Sequence, residues 1–257
     1  MVTCSKRISV VRQFGLYMIS LGMEAYIPNR FYKAAKAVVH ILSDEEIASF
    51  FKVIDEYVPA VSGASFHRLA LEYKVIFRLI YCCGLRISEA CRLCNEDVDL
   101  KCGTIRMLLF KGRKDRIVYL ADDLTELLRE YRLILSSVYH CQSVWFFPAR
   151  EPEKWLSTVT IGKRFHESWT KTPFAESCDR NPTVHCLRHS FVVKRMNMWM
   201  DEGVSLKKML PFLSKYLGHT SPAETFYYYH QIHSAFRIIR GRDKSSIKVI
   251  PEVTSDE

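Results

Sequence analysis

The sequence lacks the features of a membrane-inserted or secreted protein. None of its apolar runs is long enough to span a bilayer, and the N-terminus has neither the hydrophobic stretch nor the cleavage site of a signal peptide. Low-complexity segments and internal repeats are also missing. Its nine cysteines are odd in number and spread over a long chain, which argues against a small disulfide scaffold. We therefore expect a cytoplasmic protein with mostly buried, reduced thiols.

Acidic residues are outnumbered by basic ones. The chain has 37 Lys and Arg against 28 Asp and Glu, a formal net charge of +9. Cations that neutralise phosphates release condensed counterions, so this excess favours a polyanionic partner such as nucleic acid. The 257 residues are 48% apolar, which is enough for a sizeable core.

The pattern of segments predicts a mainly α protein with a small antiparallel β-sheet (α+β). Residues 104–110 and 116–120 read as two strands around the polar turn 111–115, which predicts a β-hairpin. Helices are predicted over residues 8–21, 44–58, 66–82, 88–94, 122–137, 158–170, 186–201, 205–216 and 221–230. Ser43 and Glu46 form a capping box, which indicates a domain boundary near residue 42.

Five separated motifs carry the residue types that a metal-free phosphodiester exchange needs. They are Gly-Leu-Arg-Ile-Ser-Glu at 84–89, Lys111 in the hairpin, His-Cys-Leu-Arg-His at 185–189, Leu-Gly-His at 217–219 and three tyrosines at 227–229. Two guanidiniums can grip phosphate oxygens, and a tyrosine can form a covalent intermediate. A lysine can protonate the leaving oxygen, and imidazoles can shuttle protons.

In these motifs and their order, residues 43 to about 233 resemble the tyrosine recombinase (phage integrase-like) family. The resemblance implies the catalytic fold of DNA breaking-rejoining enzymes. It also implies a 3′-phosphotyrosyl intermediate, from which the DNA strand is resealed without ATP, metal or another cofactor. It implies that the supporting residues Glu89 and His189 orient the arginines. It assigns the catalytic roles to six residues: Arg86, Lys111, His185, Arg188, His219 and Tyr228.

Some assignments leave alternatives open. Tyr228 lies nine residues beyond His219, the family's spacing for the nucleophile, and Tyr229 is the next choice. Lys114 competes with Lys111 as the general acid. DNA-backbone contacts or solvated positions are expected for Arg113, Lys114 and Arg116. Cys91 and Cys94 have zinc-like spacing, but no second pair follows, so no metal is expected.

The N-terminus departs from the family pattern. Residues 1–42 look like the remnant and linker of a helical core-binding domain, and 43–257 like the catalytic domain. This chain is then either a fragment or natural truncation, or it depends on another factor for that DNA contact. Its tail, 231–257, is a candidate partner-exchange element, within which 246–250 could add a strand to a neighbour.

The expected partners are double-stranded DNA with a specific recombination site, further copies of the chain in a tetrameric synapse, and as a candidate an accessory DNA-bending protein. The leading hypothesis is a site-specific recombinase or integrase. The alternatives are a catalytically silent DNA-binding module of the same fold and a type IB topoisomerase-like relaxase.

Overall fold

In the computed structural model, the described residues are 2–28, 39–107, 115–178, 181–219, 221 and 223–228. The chain divides into two compact units, Met1–Val39 and His40–Glu257. Within the described residues, no helix has both the length and the apolar character needed to cross a membrane.

The first unit is built on helix α1 (Val2–Ser20). Gly22, with φ +79°, follows the helix in the left-handed conformation that glycine tolerates best. Residues 23–28 then lie along α1, because the Arg12 side chain donates to the Pro28 carbonyl at 3.1 Å. Gly15 permits this approach, since a Cβ there would lie 3.1 Å from the Tyr26 carbonyl oxygen.

The second unit is a helical bundle with one small sheet. Its helices within the described residues are α2 (Asp44–Asp55), α3 (Ala64–Cys83), α4 (Ile87–Cys91), α5 (Asp122–Ser137), α6 (Thr158–Trp169), α7 (Val184–Asp201), α8 (Leu206–Tyr216) and α9 (Ala223–Phe226). The predicted capping box is confirmed: Ser43 Oγ accepts from the Glu46 N–H, and the Glu46 carboxylate accepts from the Ser43 N–H.

The sheet has the antiparallel order β1 (Val98–Asp99), β2 (Thr104–Met107) and β3 (Arg116–Tyr119). Strands β2 and β3 pair from Thr104 opposite Tyr119 to Met107 opposite Arg116. The sequence pattern missed β1, a two-residue strand too short to show alternation. The predicted strand residues 108–110 and 246–250 lie outside the described residues.

Helix α3 lies at the centre of the core, because most residues of its middle turns are buried: Val75, Ile76, Phe77, Leu79 and Ile80. Phe50 of α2 and Phe165 of α6 pack on Phe77, with ring centroids 5.3 and 6.0 Å from it. A second apolar cluster joins α7 and α8 and includes Tyr228. The region between α3, α7 and the end of α8 is where the predicted site residues meet.

Candidate active site

Arg188 is a buried guanidinium held by backbone carbonyls. It lies on the second turn of α7 with 1% of its surface exposed. Nη1 donates to the Gly84 carbonyl at 2.7 Å, and Nη2 donates to the Leu217 carbonyl at 2.8 Å. Burial lowers the pKa of Arg188 to about 10, so the group still carries its charge at neutral pH. The carbonyls therefore fix one positive charge between the ends of α3 and α8.

Gly84 makes this arrangement possible. It ends α3 with φ +61°, and a Cβ there would lie 2.4 Å from Cδ1 of Phe191 on α7. Only glycine combines this backbone conformation with so close a helix contact. The glycine of the Gly-Leu-Arg motif thus brings Arg86 next to Arg188.

Glu89 is shared by three arginines. Its Oε1 accepts from Arg86 Nη1 at 2.9 Å, and its Oε2 accepts from Arg116 Nη2 and from the Arg86 backbone N–H, both at 2.8 Å. Arg188 Nη1 lies 3.8 Å from Oε2. Burial alone would raise the pKa of Glu89, but the contacts with Arg116 and Arg86 outweigh it and lower that pKa. An ionised carboxylate therefore aligns the guanidiniums.

The Leu-Gly-His turn closes the site from the side of α8. The carbonyl of Gly218 accepts from Arg86 Nη2 at 2.9 Å, so successive carbonyls of one turn hold Arg86 and Arg188. Gly218 has φ +63°, and a Cβ there would lie 2.7 Å from Arg116 Nη1. The glycine is required by both its conformation and this contact.

The position of Arg116 differs from the one expected from the sequence. A position solvated or against the DNA backbone was expected, but the residue is only 7% exposed and its guanidinium pairs with Glu89. Its Nε and Nη1 are buried and have no hydrogen-bond partner among the described residues. The pattern of β3 carries the missed signal, since alternation places Arg116 on the same buried face as Val118. Lys111, Arg113 and Lys114 lie outside the described residues.

His219 bridges Arg188 and Thr225. Its Nε2 lies 3.0 Å from Arg188 Nη2, and its Nδ1 lies 2.8 Å from Thr225 Oγ1. Burial, followed by the charge of Arg188, lowers the pKa of His219 to about 4, so the ring is neutral at pH 7. Because a guanidinium can only donate, Nε2 accepts, and the proton lies on Nδ1 and is donated to Thr225. Sequence reasoning did not single out Thr225.

Tyr228 is buried at the same place, with 4% of its surface exposed. Its hydroxyl lies 2.5 Å from Nδ1 of His189. Burial lowers the pKa of His189 to about 3 and raises that of Tyr228 to about 12, while the charges of Arg188 and Arg86 lower the latter. The neutral imidazole therefore accepts and the phenol donates. Tyr229, the alternative nucleophile, lies outside the described residues.

His185 lies at the more exposed rim of this cluster. Its ring meets that of His189 edge to face, with centroids 4.3 Å apart. Partial burial and then the charges of Arg188 and Arg86 lower the pKa of His185. A bound phosphate would oppose these effects, because an anion favours the protonated imidazole.

The Cys91–Cys94 pair offers no metal site by itself. Cys91 is buried in the core, and burial raises the pKa of its thiol to about 12. Among the residues that the structure describes, no three His, Cys, Asp or Glu side chains are grouped to hold a metal ion.

Comparison with known proteins gives consistent results. The model of the phage integrase family matches residues 34–234. Tyrosine recombinase XerC of Chlorobaculum parvum is 28% identical over 253 residues, which cover 91% of this chain and 70% of that protein. The crystal structure of XerA recombinase has a TM-score of 0.61 at 22% identity and covers 91% of this chain and 75% of that one. The XerH post-cleavage complex has a TM-score of 0.62 at 22% identity, covering 96% of this chain and 72% of that one.

The predicted α+β architecture is thus confirmed as the fold of tyrosine recombinases. The family model spans most of the chain, from residue 34, before α2, to residue 234, after Tyr228. In the folded protein Arg86 and Arg188 meet at Glu89, His219 contacts Arg188, and Tyr228 contacts His189. The chain belongs to the phage integrase family of tyrosine recombinases.

Proposed function

We propose that this protein is a site-specific DNA recombinase that cleaves and rejoins DNA strands through a 3′-phosphotyrosyl intermediate at Tyr228. The phenol gives its proton to His189 or His185 as its oxygen attacks phosphorus in line, the bond to the 5′-oxygen breaks, and a second proton passes to that oxygen. Lys111 is the proposed donor of this proton, and Arg86 and Arg188 bind the non-bridging oxygens. His185 and His219 assist at the phosphate. Attack by the free 5′-hydroxyl reverses the step and reseals the strand, so the exchange needs no ATP, metal or other cofactor.

The observation that supports this proposal best is the shared carboxylate of Glu89. Three guanidiniums packed this closely repel one another, and one buried carboxylate with two turn carbonyls compensates them. Such an arrangement is costly for a merely structural role, whereas a preorganised cluster of positive charge suits a phosphate whose charge grows during the reaction.

The unbound protein holds its nucleophile in a resting state. The Tyr228 hydroxyl donates to His189 and is buried, and its raised pKa of about 12 disfavours the phenolate. DNA entry must therefore expose Tyr228 or bring the phosphate into this pocket. The incoming anion also raises the pKa values of the neighbouring imidazoles, so His189 or His185 becomes a better proton acceptor.

The proposed partners are double-stranded DNA and further copies of the chain. Related recombinases of this fold include XerH bound to its difH substrate and a lambda integrase tetramer bound to a Holliday junction. The net charge of +9 favours a phosphate backbone as ligand. We further propose a cytoplasmic location and DNA-backbone contacts by Arg113 and Lys114. A silent module or a relaxase is not favoured, since the curated relatives are recombinases.

Residues 1–42 are proposed to be the remnant and linker of a core-binding domain, and 43–257 the catalytic domain. Residues 231–257 are proposed to exchange with a neighbouring copy. These three assignments rest on the sequence pattern.

Covalent trapping tests the proposal. The protein is mixed with nicked suicide DNA carrying its site, or a randomised pool, in EDTA, and a denaturing gel separates the adduct. We expect an EDTA-resistant adduct from the wild type and from Tyr227→Phe, the matched control one residue away, and none from Tyr228→Phe. An adduct from Tyr228→Phe would overturn the nucleophile assignment. The absence of any wild-type adduct despite clear DNA binding would overturn the proposed reaction.

A further inference from the structure

We propose that Thr225 is a positioning residue for the cleavage reaction, whose hydroxyl holds the His219 ring so that Nε2 faces the phosphate-binding arginines. This inference rests on the proposed function, because it assigns His219 to the phosphate. The contact that carries it joins Thr225 Oγ1 to His219 Nδ1 at 2.8 Å.

Thr225 is enclosed completely, with none of its surface exposed. Its hydroxyl therefore contacts His219 without competition from solvent. A buried ring nitrogen without a partner would cost the desolvation free energy of that polar group, so the ring is held in the orientation that keeps this bond. The opposite orientation would place a carbon against the Thr225 oxygen and turn Nε2 away from Arg188.

A hydroxyl suits this position because it can both donate and accept. In the unbound protein Arg188 donates to Nε2, so Nδ1 carries the ring proton and donates a hydrogen bond to Thr225 Oγ1. When Nε2 instead donates to a phosphate oxygen, the neutral ring needs a donor at Nδ1, and the same hydroxyl rotates to supply it. If the ring is protonated, Thr225 remains the acceptor. The ring thus keeps one orientation in every protonation state.

Thr225 also connects this histidine to the nucleophile. The backbone N–H of Tyr228 donates to the Thr225 carbonyl at 3.1 Å, which closes the turn after α9. One residue therefore contacts His219 through its side chain and the Tyr228 backbone through its carbonyl. This geometry would keep the two groups in register while the Tyr228 side chain leaves His189.

The test compares Thr225→Val, which has nearly the same shape but no hydroxyl, with Thr225→Ser, which keeps it. We expect Thr225→Val to lower the single-turnover cleavage rate at saturating DNA by about 10- to 100-fold, with unchanged DNA affinity. Thr225→Ser should cleave near the wild-type rate. Thr172→Val is the matched control, because Thr172 is also buried, with 5% of its surface exposed, but its hydroxyl bonds only to the Trp169 carbonyl in the described structure.

A double-mutant cycle separates positioning from general destabilisation. If Thr225 acts through His219, adding Thr225→Val to His219→Gln should cause little further loss of cleavage. A full additional loss in that background would overturn the inference, as would wild-type cleavage by Thr225→Val or equal loss in both Thr225 variants.

Nitrogen NMR of the wild-type protein gives a readout that does not depend on activity. The His219 ring should show its proton on Nδ1, slowly exchanging with water, in the wild type and in Thr225→Ser. Loss of that protected proton is expected in Thr225→Val. A proton on Nε2 in the unbound wild type would overturn the contact even if the protein cleaves DNA. A missing covalent adduct with the expected NMR signal would instead count against the proposed function alone.

Discussion

Glu89→Gln tests whether one carboxylate holds the arginine cluster together. The carboxylate accepts at both oxygens, from Arg86 at Oε1 and from Arg116 and the Arg86 backbone at Oε2. A glutamine has nearly the same shape but only one accepting oxygen. Whichever way its amide points, its NH2 group faces an N–H donor, and the negative charge is lost.

The expected loss is large because the site is buried. The Glu89 side chain is 7% exposed, and that of its partner Arg116 is 4% exposed, so water screens this pair little. Removing one partner of a buried ion pair costs about 3–5 kcal/mol, since it leaves the other charge uncompensated. We expect the free energy of unfolding of Glu89→Gln to fall by about that amount at pH 7.

Urea denaturation at pH 7 measures this loss, and Glu72→Gln is the matched control. Glu72 is fully buried and bonds to Arg68, but burial raises its pKa to about 8, and its Oε2 has no partner among the described residues. A neutral amide resembles the form that burial favours, and Arg68 keeps three backbone carbonyl acceptors, so we expect a smaller loss than in Glu89→Gln, below about 1 kcal/mol. Equal losses in the two variants, or a loss below about 1 kcal/mol in Glu89→Gln, would refute this account of the cluster.

Three further results are expected. Because the pKa of Glu89 is lowered in the folded protein, its ionised carboxylate stabilises the fold at pH values above the ordinary pKa of 4.5, and this stabilisation is lost as the pH falls through the folded pKa. The stability difference between wild type and Glu89→Gln should therefore shrink in an acid denaturation series. Arg116→Met should slow cleavage while the salt dependence of DNA affinity stays unchanged, because the Arg116 guanidinium pairs with Glu89 and is not assigned to a phosphate; a reduced salt slope would contradict this role. Gly84→Ala should destabilise the fold by about 1–3 kcal/mol more than Gly203→Ala. Both glycines have positive φ, but of the two only at Gly84 would a Cβ clash with a neighbouring side chain. Equal urea midpoints of the two variants would contradict this.

The fold was largely predictable because its elements have strong local signals. The capping box at Ser43, the apolar pattern of α3 and the hairpin alternation each depend on residues close in sequence. Helix ends were less well predicted: the helix expected over 221–230 is described only as α9 (Ala223–Phe226). The Tyr228 N–H donates to the Thr225 carbonyl, three residues back, so a turn follows Phe226.

The sequence by itself determined the family and the identity of the candidate site residues, because ordered motifs record chemistry that requires particular side chains. Only the tertiary structure decided their partners. Arg116 lies 27 residues from Glu89, and Arg188 lies 104 from Gly84, so no local pattern reports these contacts. Arg116, for which a DNA contact or a solvated position was expected, is buried and belongs to the ion-pair cluster around Glu89. Thr225 is identified as the partner of His219 only by the folded structure. The physical reason is that pairing and desolvation depend on distance in space, which the fold alone establishes.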